Sequence, residues 1–231
     1  MFELDKEQLD IVAITGIGAE GNRVMLLDNF YKDPESVRRL ALKKRDKEVD
    51  ANNPDEVQEF QEIQQHLRPL FDQLCFDTDF WGLETDLFYY KRAWDKASFM
   101  VNYITEEDFL KEPLKIMPTQ DSYPQIPSPF QFKLEVYLNK GDEEFGGTDL
   151  YSFLGAMTIP KPNLHKWKDE KSFDNMNMQL RSSFAWKVEH CFPTKFNRAL
   201  LYKTQILSSP ELQKGWYRSP ATPRMSQILF M

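Results

Sequence analysis

The amino-acid sequence predicts an α+β fold that is mainly β, in which helices cover one face of a β-sandwich or jelly roll. One observation is the order of the local patterns: a hairpin, two helices, and then a run of strands separated by irregular loops. The other is residues 130–139, where apolar and polar side chains alternate at every position. This alternation predicts an antiparallel strand with one buried face, formed by Phe130, Phe132, Leu134, Val136 and Leu138.

The length and composition favour one large domain. The chain has 231 residues, of which 41% are hydrophobic and 14% aromatic, which is enough material for a sizeable core. We therefore predict a single domain over residues 1–231. In this interpretation residues 1–112 supply the hairpin, the helices and supporting strands, and residues 113–231 supply the jelly-roll core.

The charge pattern excludes some classes of partner. The formal net charge is −7, and the basic residues are scattered rather than grouped on one face, so a nucleic acid is not an expected partner. The chain has neither a signal-peptide pattern nor an apolar run near the ~20 residues that a membrane span needs. We expect no membrane partner and a cytoplasmic location.

The two cysteines indicate no disulfide framework and no zinc motif. Cys75 and Cys191 stand far apart in apolar contexts, which is typical of a reducing compartment. Both are therefore predicted to be buried small hydrophobic side chains.

The N-terminal part predicts a hairpin followed by helices. Two apolar runs, 11–16 and 23–28, flank a Gly-rich turn. Asp33-Pro34 then provides a cap and a first helical residue. That helix would bury Val37, Leu40 and Ala41. A second helix is expected to begin at Asn53-Pro54 and to kink or end at Pro69, with its apolar stripe at Val57, Phe60, Ile63 and Leu67.

The remaining elements are predicted mainly from aromatic and β-branched enrichment. Gly146-Gly147-Thr148 opens a short strand that would pair with residues 130–138 as a hairpin, at a point where backbone approaches a neighbour closely. Residues 179–188 fit a helix or a strand equally well. The other expectations are strands at 85–93, 97–104, 196–207 and 224–231, a Pro-rich loop at 117–129, and an exposed insertion at 167–177.

The common catalytic motifs are absent from the sequence, including phosphate-binding loops, nucleophile elbows and metalloprotease helices. Only three histidines occur, so a histidine-rich metal site is not expected. His66 is predicted to be a partly exposed helix residue and His165 a surface residue of the insertion. His190 lies close to strong strand patterns, and its expected role is structural.

Several short motifs follow one another in a familiar order. They are Val24 to Pro34 (VMLLDNFYKDP), Pro118 to Ser122 (PTQDS), Gly146-Gly147-Thr148, Phe196 to Tyr202 (FNRALLY), and a last strand opened by Arg224. This order resembles the double-stranded β-helix of the iron(II)/2-oxoglutarate oxygenases, in particular the prolyl-hydroxylase-like branch and its uncharacterised bacterial relatives. The resemblance spans most of the chain and implies a cupin-like jelly-roll core.

The resemblance also implies which residues surround the site. In that family two histidines and a carboxylate hold the iron. Asp121 matches the carboxylate, but Thr119 and Ser208 stand where the two histidines belong. Arg224 matches the basic residue that binds the far carboxylate of 2-oxoglutarate, with Arg218 as a second candidate.

The sequence leaves three functions open. Because neutral hydroxyl groups are poor iron(II) ligands, we expect a catalytically degenerate protein that binds a small molecule, a peptide or another partner and carries no cofactor. The alternative is an active 2-oxoglutarate-dependent hydroxylase with a non-standard iron site that uses Asp121 and His190. The third is a structural or assembly protein in which the jelly roll is a packing module.

Overall fold

The computed structural model describes ten segments of the chain and confirms the predicted class, α+β and mainly β. The described residues are 2–43, 61–62, 65–70, 73–74, 78–81, 99–104, 132–141, 146–155, 186–211 and 224–230. Within them a helix α1 spans Pro34–Lys43, residues 65–70 are helical, and one helical turn spans Thr78–Trp81. The strands are β1 (Asp10–Ile17), β2 (Asn22–Asp28), β3 (Phe99–Ile104), β4 (Phe132–Tyr137), β5 (Gly147–Phe153), β6 (Trp186–Pro193), β7 (Ala199–Lys203), β8 (Ser208–Pro210) and β9 (Arg224–Phe230).

The strands form two antiparallel sheets that face each other. The large sheet has six strands in the order β1-β2-β7-β4-β9-β3, and the small sheet has three in the order β6-β5-β8. Side chains from both sheets share an apolar cluster, which includes Leu150 and Phe192 of the small sheet and Leu200 and Tyr202 of the large one. The second face of the large sheet packs on the N-terminal segment, α1 and the helical residues.

Strand β4 lies in the middle of the large sheet and is buried on both faces. Phe132, Leu134, Val136 and Leu138 belong to the main core, with Val37 and Ala41 of α1 and with Leu67, Leu74 and Trp81. The sequence predicted only one buried face for this strand, and that prediction was wrong, because the face opposite the apolar one is buried as well. The helices cover the apolar face of β4, and its polar face points toward the small sheet. Since β4 also has a neighbouring strand on each side, protein surrounds it in every direction.

The predicted hairpin of residues 130–151 does not form. β4 pairs with β7 and β9, whereas β5 pairs with β6 and β8 in the other sheet. β4 ends at Tyr137 in the large sheet and β5 begins at Gly147 in the small one, so the two glycines stand at the start of a strand of the second sheet. The close backbone approach expected there is confirmed: a Cβ on Gly147 would stand 2.0 Å from the carbonyl oxygen of Phe192.

The N-terminal predictions were more accurate. β1 and β2 pair antiparallel as the expected hairpin. Asp33 caps α1 by accepting a hydrogen bond from the backbone N–H of Ser36 at 3.1 Å. Val37 and Ala41 are buried on that helix, and residues 65–70 remain helical through Pro69.

Asn197 connects this segment to the large sheet. Its amide oxygen accepts from the N–H of Tyr31 at 2.8 Å, and its amide nitrogen donates to the carbonyl oxygen of Tyr31 at 2.9 Å. Its own N–H donates to the carbonyl oxygen of Tyr137 at 3.0 Å. Asn197 has φ 63°, a left-handed conformation that asparagine tolerates better than most residues.

The later strands match the sequence in place and differ in length. Of the ambiguous segment 179–188, the described residues 186–188 belong to strand β6, and residues 97–104 and 224–231 contain β3 and β9 as expected. The strand predicted over 196–207 is only Ala199–Lys203, because a turn interrupts the run before β8. The predictions that lie outside the described residues are the start of the second helix with Val57, Phe60 and Ile63, the strand at 85–93, the Pro-rich loop, Phe130, the exposed insertion and Cys75.

Cys191 corrects a further prediction, since it is exposed rather than buried. Alternation along β6 directs its neighbour Phe192 inward, so the thiol points outward. Within the part of the chain described, no helix is long and apolar enough to span a membrane.

Candidate functional site

A layer of polar side chains lies between the two sheets. Alternation along β4 places Lys133, Glu135 and Tyr137 on the face opposite the main core, and strand pairing places further polar side chains beside them. We call this set the interior polar layer; it consists of Lys133, Glu135, Tyr137, Thr148, Tyr202, Ser208, Arg224 and Ser226. All eight are buried, with Lys133 the most exposed at 9%.

A buried ion pair forms the centre of this layer. Nη2 of Arg224 lies 2.7 Å from Oε1 of Glu135, and the side chains are only 2% and 3% exposed. The same nitrogen donates to the carbonyl oxygen of Gly147 at 3.0 Å, and Nη1 donates to the hydroxyl of Ser226 at 3.4 Å. Arg224 also lies over the ring of Tyr137, 5.7 Å from its centroid. The guanidinium group therefore contacts protein groups in several directions.

Thr148 extends the network from the large sheet to the small one. Its hydroxyl donates to Oε2 of Glu135 at 2.9 Å. It accepts from the hydroxyl of Tyr137 at 2.8 Å and from Arg224 at 3.2 Å. The hydroxyl thus has one donor bond and two acceptor bonds, its full capacity. Both oxygens of Glu135 are also engaged.

The electrostatics of the layer keep Glu135 charged. Burial alone raises the pKa of its carboxyl group, but the nearby cations Arg224 and Lys133 outweigh burial and hold that pKa well below its usual range. Burial, followed by the charge of Glu135, raises the pKa of the Tyr137 hydroxyl. At neutral pH the layer therefore contains an ionised Glu135 beside the cation Arg224, and the Tyr137 hydroxyl stays protonated.

Ser208 lies at the other end of the same layer. It is 5% exposed, and the hydroxyl of Tyr202 donates to its Oγ at 3.1 Å. The ammonium group of Lys133 is 5.7 Å from the centroid of the Tyr202 ring. Ser208 and Arg224 are therefore part of one continuous layer, linked through Tyr202, Lys133 and Glu135.

His190 lies on the same side of the small sheet as Ser208. Leu150 pairs with His190 on one side and with Ser208 on the other, and paired residues point to the same face. Two strand spacings separate His190 from Ser208, which is roughly 10 Å. The imidazole contacts the ring of Phe192, with the centroids 4.3 Å apart.

The other predicted site residues are distributed as follows. Thr119, Asp121, Arg218 and His165 lie outside the described residues. His66 is a partly exposed helical residue, as expected from its sequence. The sequence reasoning missed Glu135, Tyr137 and Thr148 as members of the site. The alternating polar residues of β4 carry the relevant signal, but alternation alone does not show whether a second layer covers the polar face.

A second group of potential ligands lies on the outer face of the small sheet. Asp149, Cys191 and Glu211 offer ligand atoms that all lie within 4.8 Å of one another. The thiol of Cys191 donates a hydrogen bond to Asp149, whose other carboxylate oxygen accepts from the Tyr151 hydroxyl at 3.2 Å. Thiolate and carboxylate groups can bind a divalent metal. Because Asp149 and Thr148 point to opposite faces of β5, this group is separate from the interior polar layer.

The fold and the site define a mainly β protein with two facing antiparallel sheets and a buried charged network between them. Comparison with protein families places the chain in a family of unknown function, DUF6445, whose model matches residues 10–231. The chain belongs to this family, since the match covers nearly its whole length. A search of curated proteins finds no match to the sequence.

Proposed function

We propose that the chain is a cupin-like, double-stranded β-helix protein of oxygenase ancestry that has lost iron chemistry and acts by binding a small molecule, a peptide or another partner. Support for the ancestry comes from the antiparallel sheets with helices on one face and from the order of the motifs in the sequence. The jelly-roll topology is itself part of the proposal.

The observation that carries the proposal is the engagement of Arg224. In an oxygenase this position would receive the far carboxylate of 2-oxoglutarate. Here the carboxylate partner comes from the protein, because Oε1 of Glu135 lies 2.7 Å from Nη2 of Arg224, and the same nitrogen also donates to Gly147 and Thr148. An incoming carboxylate would compete with Glu135 for Arg224, and displacing Glu135 would leave that buried anion without its main cation, which costs several kcal/mol.

Ser208 supports the same conclusion at the metal side. Its hydroxyl is a neutral oxygen that already accepts a bond from Tyr202. Imidazole is a good ligand for iron(II), and a neutral hydroxyl group is a much weaker one. The described residues of the interior polar layer therefore fit neither iron nor 2-oxoglutarate.

A binding role is the function that such a layer supports best. Replacing a buried ion pair by apolar side chains is often neutral or stabilising, so stability does not require Lys133, Glu135 and Arg224 in the interior. Polar groups that converge inside a β-fold are typical of ligand sites, and a ligand that binds here would exchange hydrogen bonds with the layer.

An anaerobic calorimetric titration with iron(II) and 2-oxoglutarate tests the loss of iron chemistry. We expect no saturable heat for either compound, added separately or together. One-to-one binding of iron(II) in the micromolar range would contradict the proposal. An Arg224→Met variant identifies where any bound 2-oxoglutarate lies, since it would lose that binding only if Arg224 were the contact.

An active oxygenase with a different ligand set is the second candidate, and the position of His190 favours it. His190 lies on the same face of the small sheet as Ser208, so it is the one described histidine placed on the side of the interior polar layer. If His190 were an iron ligand, His190→Ala would abolish iron binding. His66→Ala, on a helix, is the matched control and would leave that binding unchanged.

A further inference from the structure

Strand β1 has an unusual edge. Among the described strands it lies at one end of the six-stranded sheet, with β2 as its neighbour. An edge strand presents a row of backbone N–H and C=O groups to which another strand can bind. β1 is eight residues long, longer than a typical strand of about five or six, and most of its residues are exposed.

The exposure of β1 involves both of its faces. Large exposed hydrophobic side chains among the described residues are Ile11, Val12, Leu42 and Leu154. Ile11 and Val12 are adjacent, 41% and 45% exposed, and point to opposite faces of the sheet. A helix or a small ligand lying on the sheet would cover only one of them. An added strand would continue the sheet and cover part of each.

The usual protection of an edge is weak in this strand. Natural edges carry charges, prolines or bulges that block pairing with another chain. In β1 the single charge is Asp10 at the first position, and the irregularity of pairing lies near the other end, between Ile14 and Ile17. The segment Ile11 to Thr15 contains no charge and no proline.

We propose that β1 pairs with β1 of a second copy of this chain, antiparallel and about a two-fold axis. Centred on Ala13, this pairing would place Val12 opposite Ile14 and Ile11 opposite Thr15, and it would end before Gly16, whose φ of 77° is not extended. No like charges would face each other, and apolar side chains would meet on each face. The two six-stranded sheets would become one continuous sheet.

The strength and salt dependence of this dimer follow from its size and charge. The five paired residues 11–15 span roughly 17 Å, which makes a contact at the small end of specific interfaces. The dimer should therefore be concentration-dependent and in the micromolar range or weaker. Each chain has a net charge of −7, and salt screens the repulsion between copies. Added salt should therefore strengthen the dimer. This inference does not depend on the loss of iron chemistry.

Sedimentation equilibrium of the full chain over a range of concentrations tests the proposal. We expect a monomer–dimer equilibrium in the wild type and dissociation at least ~10-fold easier in Val12→Lys, because the charge replaces an apolar contact twice per dimer. Leu42→Lys is the matched control: Leu42 is 37% exposed and lies on α1, so its substitution should leave the equilibrium unchanged. Circular dichroism and the melting temperature establish that each variant is folded.

Two further variants keep the test decisive. Ile11→Lys alters the opposite face of β1 and replaces Val12→Lys if the latter fails to fold. Ala13→Cys in a background that carries both Cys75→Ser and Cys191→Ser should form a disulfide between two copies, since the axis passes beside residue 13. A wild type that stays monomeric at all concentrations overturns the proposal. So does a dimer that none of the β1 substitutions weakens, because its interface would then lie elsewhere or involve a different strand.

Discussion

The buried ion pair gives the sharpest prediction about stability. Replacing Glu135 by Gln keeps the shape of the side chain and removes its charge. Arg224, whose side chain is 2% exposed, would then be a buried cation with only neutral partners among the contacts described above. Removing one partner of a buried pair typically costs about 3–5 kcal/mol, so we expect Glu135→Gln to lower the free energy of unfolding by that amount.

The surrounding charges predict which variants of the ion pair lose the most free energy of unfolding. Glu135→Gln leaves two cations, Lys133 and Arg224, near each other without the carboxylate. Arg224→Met leaves Glu135 with Lys133, whose charge also lowers the pKa of Glu135. Arg224→Met should therefore be the less damaging change. The double variant should cost less than the two single costs added together, because neither charge is then left unpaired.

Urea unfolding followed by tryptophan fluorescence measures these differences, and the chain has 5 Trp residues to report them. The control is Glu3→Gln, which removes a carboxylate from an exposed pair with Lys32 at 3.3 Å and should cost about 1 kcal/mol or less. If Glu135→Gln cost no more than this control, or less than Arg224→Met, the reasoning about the interior polar layer would be refuted.

Three other variants test the fold around this layer. Gly147→Ala should lower the free energy of unfolding in urea by about 2–3 kcal/mol, because the added Cβ would stand 2.0 Å from the carbonyl oxygen of Phe192. The control is Gly21→Ala, which has open space around it and should cost about 1 kcal/mol. Equal losses in the two variants would contradict the close approach at Gly147. Asn197→Ala should cost about 2–4 kcal/mol, since it unpairs both backbone groups of Tyr31 and strains a left-handed residue, and a loss under about 1 kcal/mol would rule out this role. Asp28 accepts a hydrogen bond from Arg198 at 2.6 Å, and this bond is the main cause that lowers the pKa of Asp28 from 3.8 to about 2. The pair should therefore contribute roughly 2 kcal/mol to the free energy of unfolding above pH 4, and this contribution is lost as the pH falls toward 2. Asp28→Asn should remove this acid sensitivity in unfolding measured across that pH range, and an unchanged profile would show that Asp28 is not its source.

The sequence predicted local structure well where the signal depends on neighbouring residues. The cap at Asp33, the hairpin of β1 and β2, and the strand β4 all follow from short-range patterns, and the structure confirms them. The glycine pair at 146–147 correctly indicated a close backbone approach.

The errors concern which elements meet across long sequence separations. Period-two alternation shows that a strand has two kinds of face, but it does not show whether a second layer covers the polar one. β4 has protein on both sides, so Lys133 and Glu135 became interior residues rather than surface residues. The same limitation explains Cys191, whose exposure depends on which face of β6 points inward.

The candidate site was predicted only in part. Family resemblance pointed to Ser208 and Arg224, and both are buried in the interior polar layer. Their partners were not predicted, because the bond between Arg224 and Glu135 joins residues 89 positions apart. A buried arginine requires an anion nearby, so the search for that anion among the polar residues of β4 would have identified Glu135.

The central claim is that the interior polar layer has replaced an iron site. It is tested most directly by the iron content of the chain after anaerobic reconstitution with iron(II) and 2-oxoglutarate, followed by desalting and elemental analysis. We predict far less than one iron per chain, with Ser208→Ala giving the same value as the wild type. A content near one iron per chain, reduced in His190→Ala and retained in His66→Ala, would contradict the account.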